Sequence, residues 1–242
     1  LPYQIKTVFE EKFGSSKLLT PVIRFGENDR ALSKQIITFT KQLGIKTAAA
    51  RCALEQALRA QSSFEEACKQ KGREILAGLK PDEKLFVLIA RPYNGCDPGV
   101  NLEIPKKLAK VGVKVIPLDM LDLDGVEISD RDLQDQMYWK YGQHILRAAQ
   151  LISTDPRLHA IYLSNFSCGP DSFIMTFFKN IMGSKPSLTL ELDEHSADAG
   201  VITRIEAFFE SLKNYKPAPP KTNVPEKSKP GSVTERTLYL PW

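Results

Sequence analysis

The chain has 242 residues, 42% hydrophobic and 26% charged, with a net charge of +4, a composition that supports a sizeable globular core. Much of the positive charge falls on residues 216–242, where Lys216, Lys221, Lys227, Lys229 and Arg236 face only Glu226 and Glu235. The body is therefore close to neutral, which speaks against a structured nucleic-acid-binding face. The longest clean apolar run, Leu85 to Ala90, is far short of the roughly 20 residues of a membrane span.

The first third reads as helical. Residues 1–14 predict a short helix ending at Gly14, and Leu18 to Phe25 an extended segment with Pro21 at an edge position. A helix over about 29–43 carries Ala31, Leu32, Ile36, Phe39 and Leu43 on one side. A second, Ala-rich helix covers about 47–78, with a break expected near Ser62–Ser63. Residues 1–80 thus form a mainly helical N-terminal segment.

The pattern changes at Pro81. Leu85 to Arg91 is a continuous apolar strand of the kind buried on both faces of a parallel sheet. A polar loop, PYNGCDPG, precedes a helix from about Leu102 to Val111 and a second strand, 113–117. After a loop through Asp130, Ser129 and Asp132 resemble a capping box, and one helix is expected over 131–152. A third strand, 159–163, stops at a polar turn. A helix then starts at once, with Phe173, Ile174, Phe177, Phe178 and Ile181 at helical spacing and Gly183 as its stop. A fourth strand, 187–192, leads into a last helix from Val201 to about Lys213. This repeated alternation predicts an α/β fold, a Rossmann-like parallel sheet with flanking helices over 81–215. Residues 216–242 read as a Pro/Lys-rich linker and a stray strand, RTLYLPW, of a following domain.

In such a sheet the loops after successive strands line one edge, where ligands bind. Here they carry Arg91, Tyr93, Asn94, Cys96 and Asp97; then Asn165, Cys168, Asp171 and Ser172; then Asp193 and His195. Cys168 stands between a strand end and a helix start, where free N–H groups and the helix dipole favour a thiolate. A thiolate there could ligate a metal or attack an electrophile; an inert Cys in a Gly-Pro turn is the competing reading. Arg91 either binds an acidic ligand or pairs with Asp97. Asp171 could simply complement a helix dipole, Asn94 and Asn165 could serve turn geometry, and His195 could bond backbone. The four cysteines, Cys52, Cys68, Cys96 and Cys168, form no CxxC pair and no zinc-finger spacing. They are too sparse for a disulfide scaffold, and no signal-peptide pattern opens the sequence, so a reducing cytoplasm is the expected location. No GxGxxG or phosphate-loop motif supports nucleotide binding.

The strings ARPYNGCDPGVNLEIPKKL, MYWKYGQHILRAAQLI, NFSCGPDSFI and LELDEHSADAGVITRIEAF resemble a known family. They are similar to proteins related to the activator and dehydratase components of 2-hydroxyacyl-CoA dehydratases, and more closely to the dehydratase-like portion of the large CoA enzyme activase-related proteins. The resemblance implies a 4Fe–4S cluster in the intact protein. It also implies an ATP-hydrolysing activator domain or subunit as partner, low-potential electron transfer, and an acyl-CoA or another small molecule as substrate. Cys168 matches the cysteine of the family's NFxCGPDSF motif and becomes the cluster-ligand candidate. Cys96 is the lesser candidate, since the family pattern after RPYN does not demand a cysteine. Cys52 and Cys68 fall on helical faces and read as structural. Full-length relatives carry cysteine–proline motifs before a segment like LPYQIK and a further cysteine after a strand like RTLYLP. The chain is therefore expected to be a fragment that binds no cluster alone. A non-catalytic scaffold or docking module for the activator is the alternative.

Overall fold

A computed structural model of the chain describes residues 2–13, 18–25, 29–193, 198–213 and 215. The chain divides into two compact units, Leu1–Lys71 and Gly72–Trp242. In the first, α1 (Pro2–Phe13), α2 (Asp29–Lys41) and most of α3 (Thr47–Ala77) follow the predicted helices. Residues 18–24 join no strand; the backbone N–H of Arg24 instead donates to Gln35 Oε1 at 2.7 Å. The expected break at Ser62–Ser63 does not occur: α3 runs through it, because serine costs only a fraction of a kcal/mol in a helix interior, roughly 0.5.

The second unit is the predicted α/β layer. It contains β1 (Leu85–Ile89), α4 (Pro92–Cys96), α5 (Ile104–Lys110), β2 (Lys114–Pro117) and a 3₁₀ turn at Leu118–Met120. Then come α6 (Arg131–Gln136), α7 (Lys140–Thr154), β3 (Leu158–Asn165), α8 (Gly169–Met182), β4 (Ser187–Leu192) and α9 (Asp198–Lys213). All strand pairs are parallel, in the order β2-β1-β3-β4. The central strands β1 and β3 are buried along nearly their whole length, because both faces are covered. Leu85, Val87, Ile89, Ala160 and Tyr162 face one core with Ile145, Ile152, Ile174 and Phe178 of α7 and α8. Phe86, Leu88, Ile161 and Leu163 face the other with Ile104 and Leu108 of α5 and Val201, Ile205 and Phe208 of α9. The edge strand β4 alternates, Leu188, Leu190 and Leu192 in and Glu191 out.

Four local expectations are corrected. PYNGC is not loop: it folds as α4, started by Pro92 at its first turn. Leu102 and Glu103 take left-handed backbone, so α5 starts only at Ile104. The helix expected over 131–152 is two helices. Its chain turns at Met137, which is buried, and an added Cβ on Gly142 would stand 2.8 Å from the Met137 sulfur. Burying Met137 against that glycine outweighs continuing one straight helix. The cap of α6 is also not Ser129: Asp130 accepts from the Leu133 N–H at 3.0 Å, while the Ser129 hydroxyl donates to Gln150 at 2.7 Å. Residues 216–242 and their expected strand lie outside the described residues.

Gly72 shows how tightly the end of α3 meets the turn at Leu118–Met120. A Cβ there would stand 1.7 Å from the Met120 carbonyl oxygen. Overpacking typically costs about 1–3 kcal/mol, against about 1 kcal/mol gained by alanine in a helix. Because the atoms met are backbone, the cost lies at the upper end, and Gly72→Ala should lower stability by about 2 kcal/mol net, seen as a lower urea midpoint. An unchanged midpoint would mean that the turn yields freely.

Candidate functional site

The strand order fixes where a site can form. From β1 the chain passes through α5 on one face to β2; from β3 it passes through α8 on the other face to β4. The connections therefore part between β1 and β3, and the crevice outside their carboxyl ends is the topological switch point, where open α/β sheets bind ligands. Arg91 follows β1 there and Cys168 follows β3.

Cys168 is the N-cap residue of α8, half-buried, with extended backbone. Its N–H donates to the Asn165 carbonyl at 3.1 Å, closing the turn, and Ser167 takes left-handed backbone to make that turn. Its carbonyl accepts from Ser172, from both the N–H and the hydroxyl at 2.9 Å. Its side chain thus makes no cap bond and is left for other partners. That partner is Arg91, whose Nη2 donates to the Cys168 sulfur and also to Asp171 Oδ2 at 3.1 Å. Asp171 is buried at the first turn of α8, and the Ser164 hydroxyl donates to the same oxygen at 3.0 Å. The Arg91 guanidinium also lies 5.3 Å from the Tyr93 ring centre.

The carboxylate that Arg91 pairs with is Asp171, not Asp97. Asp97 instead accepts from the N–H groups of Gly99 and Val100, a turn role. The burial of Arg91 works against its charge, but the hydrogen bond and charge of Asp171 outweigh this and raise its affinity for the proton.

The other sequence candidates are placed as follows. Tyr93 is exposed on α4 and Ser172 exposed on α8. Asn94 is 1% exposed, and neither amide atom has a hydrogen-bond partner. Asn165 ends β3 beside a rim cavity of about 410 Å³ that it shares with Leu102, Phe166 and Asp193. Cys96 ends α4 and is exposed. Cys52, exposed, and Cys68, half-buried, both lie on α3. His195 lies outside the described residues.

Three residues at this edge escaped the sequence reading. Ser164 was legible only as one polar residue inside an apolar strand. The Tyr162 hydroxyl is buried without a hydrogen-bond partner, and burial, then the Asp171 charge, push its ionisation far up. Tyr141 donates to the Ala90 carbonyl at 2.8 Å at the end of β1, and burial followed by Asp119 keeps it protonated.

Chemically, the site offers one soft sulfur donor held by a fixed cation and braced by a buried carboxylate. A 4Fe–4S cluster is held by several thiolates, usually four. Among the described residues no three His, Cys, Asp or Glu side chains converge as a metal site. These residues thus fit one corner of such a cluster, through Cys168, and not a whole one. Among the described residues no helix is long and apolar enough to cross a membrane.

A family model described as CoA enzyme activase uncharacterised domain matches residues 1–121, half of the chain. The matched segment contains Arg91, Tyr93, Asn94 and Cys96; Cys168 lies beyond it. No curated protein and no solved structure matches the chain.

Proposed function

From the premise that the chain belongs to the CoA enzyme activase uncharacterised domain family, we propose that it is the Rossmann-like part of a dehydratase- or reductase-like redox protein in which Cys168 is one corner ligand of a 4Fe–4S cluster. The remaining thiolates come from outside the described residues. When bound, such a cluster supplies one-electron chemistry. An ATP-hydrolysing activator is the partner, and an acyl-CoA or another small molecule the substrate. A cytoplasmic location goes with this reading, since free thiols persist in reducing compartments.

The observation that carries it is the placement of the Cys168 sulfur at the switch point, spared from capping α8 and held by Arg91. Ser164 donates to Asp171 and Asp171 in turn holds Arg91, so the cation beside the sulfur is itself braced.

The test is the iron and acid-labile sulfide content of the longest natural polypeptide containing this sequence, purified without oxygen. Cys168→Ser should lose iron and sulfide together, while Cys52→Ser, on the exposed face of α3, should retain both. Full iron in Cys168→Ser would overturn the ligand assignment.

One observation favours a second reading. The family match ends at Leu121, before Cys168, as it would if the shared property were a docking surface rather than the thiol. An iron-free natural polypeptide that still binds its activator would decide for that scaffold reading.

A further inference from the structure

The rings of Tyr138, Trp139, Phe173 and Phe177 take no part in the switch-point site. They stand where the chain turns between α6 and α7 and one turn apart on α8. Tyr138 meets Trp139 at 5.6 Å and 67°, Trp139 meets Phe173 at 6.5 Å and 77°, and Phe173 meets Phe177 at 5.1 Å and 72°. Each ring stands nearly perpendicular to the next, so the series does not close by stacking. All four line one cavity of about 400 Å³, within the small-ligand range of about 300–1,000 Å³. Tyr138 is 81% exposed and Phe173 56%, and a cluster of exposed aromatic side chains marks a binding surface.

The charged residues lining this cavity are Asp130 and Asp132. Asp130 gives one oxygen to the Leu133 N–H; Asp132 follows in the first turn of α6. Aromatic faces carry partial negative charge, and a cation held among several of them is attracted electrostatically. A neutral apolar ligand would use the rings but not the carboxylates. An anion would be repelled by both.

We propose that this cavity binds a compact organic cation of the substituted-ammonium class, either free or carried on a lysine side chain. The rings receive its alkyl groups and the aspartates supply the opposite charge. The site shares no residue with the Cys168 assembly, so either assignment can fail while the other stands.

The chain has two tryptophans, so Trp242→Phe leaves Trp139 as the only indole emitter. In that background, choline and Nα-acetyl-Nε-trimethyllysine methylamide are titrated at constant ionic strength, beside the neutral choline isostere 3,3-dimethylbutan-1-ol. Both cations should change Trp139 emission saturably, and the tighter one identifies the source. The isostere should bind roughly 10-fold more weakly. Phe173→Leu and Asp132→Asn alter exposed side chains and should keep the far-ultraviolet circular dichroism. Each should weaken cation binding roughly 3- to 10-fold. Equal affinity for the neutral isostere, or no saturable response to either cation, would overturn the proposal.

Discussion

Asp171→Asn should destabilise the α/β unit by about 3 kcal/mol, measured as a lower midpoint in urea unfolding. The Asp171 side chain is 3% exposed and its Arg91 partner 26%. Asparagine keeps the shape but leaves the Arg91 guanidinium without its counter-charge. Removing one member of a buried pair costs about 3–5 kcal/mol, because the other charge stays desolvated. The partial exposure of Arg91 places the loss at the low end. A second contribution has the same sign: the carboxylate sits in the first turn of α8, where negative charge is worth about 0.3–1 kcal/mol. Adding Arg91→Met to Asp171→Asn should recover part of the loss, since the uncompensated charge is then gone. A loss below about 1 kcal/mol, the range of exposed ion pairs, would show that the bridge is a surface contact and that the frame behind Cys168 is soft.

The second large effect is on the acid side of the stability profile. His159 on β3 pairs across from Phe86 on β1, with ring centres 5.5 Å apart. It is 2% exposed, and neither ring nitrogen has a hydrogen-bond partner. Burial first, then the charges of Lys185 and Lys84, push its pKa from 6.5 down to about 4. Between those two values the unfolded chain takes up a proton that the folded chain refuses. Stability therefore rises with pH across this window and is lost as pH falls from 6.5 to about 4. The gap corresponds to about 3 kcal/mol. Lys185, pushed down to about 8 by burial, stays protonated throughout the window and adds no slope. Asp155 and Glu83, whose pKa values are lowered by their Arg157 and Lys114 partners, add acid sensitivity to any variant alike. The comparison with His159→Phe isolates the imidazole. Wild type should lose about 3 kcal/mol more than His159→Phe between pH 7 and 4. Parallel curves for the two proteins would sink the assignment.

Much of the fold was legible in the residues because the signals are local. LFVLI and the run through Tyr162 are apolar at every position, which only a strand covered on both faces tolerates, and SLTLEL alternates as an edge strand does. Helix spacing located α2, α5, α8 and α9 to within a few residues, and Gly183, at φ 56°, ends α8 where the sequence placed its stop. The position of Cys168 between β3 and α8 follows from the same local pattern.

What the sequence could not supply is what meets what. Arg91 and Cys168 are 77 residues apart, and their contact exists because β1 and β3 are neighbours in the sheet while β2, nearer in sequence to β3, pairs on the other side of β1. No periodicity encodes that order. The local pattern offered Asp97 as one possible partner for Arg91, and the sheet set it beside Asp171. The turn at Met137 has the same origin, since its side chain leaves the helical path for a place against Gly142, which the helix pattern alone does not reveal. The residues by themselves determined the strands, most of the helices and the thiol at a strand end, because backbone preference and burial pattern act over a few residues. Tertiary structure decided the partners of Arg91 and the orphaned imidazole of His159, because charge pairing and desolvation depend on neighbours that only the assembled layers bring together.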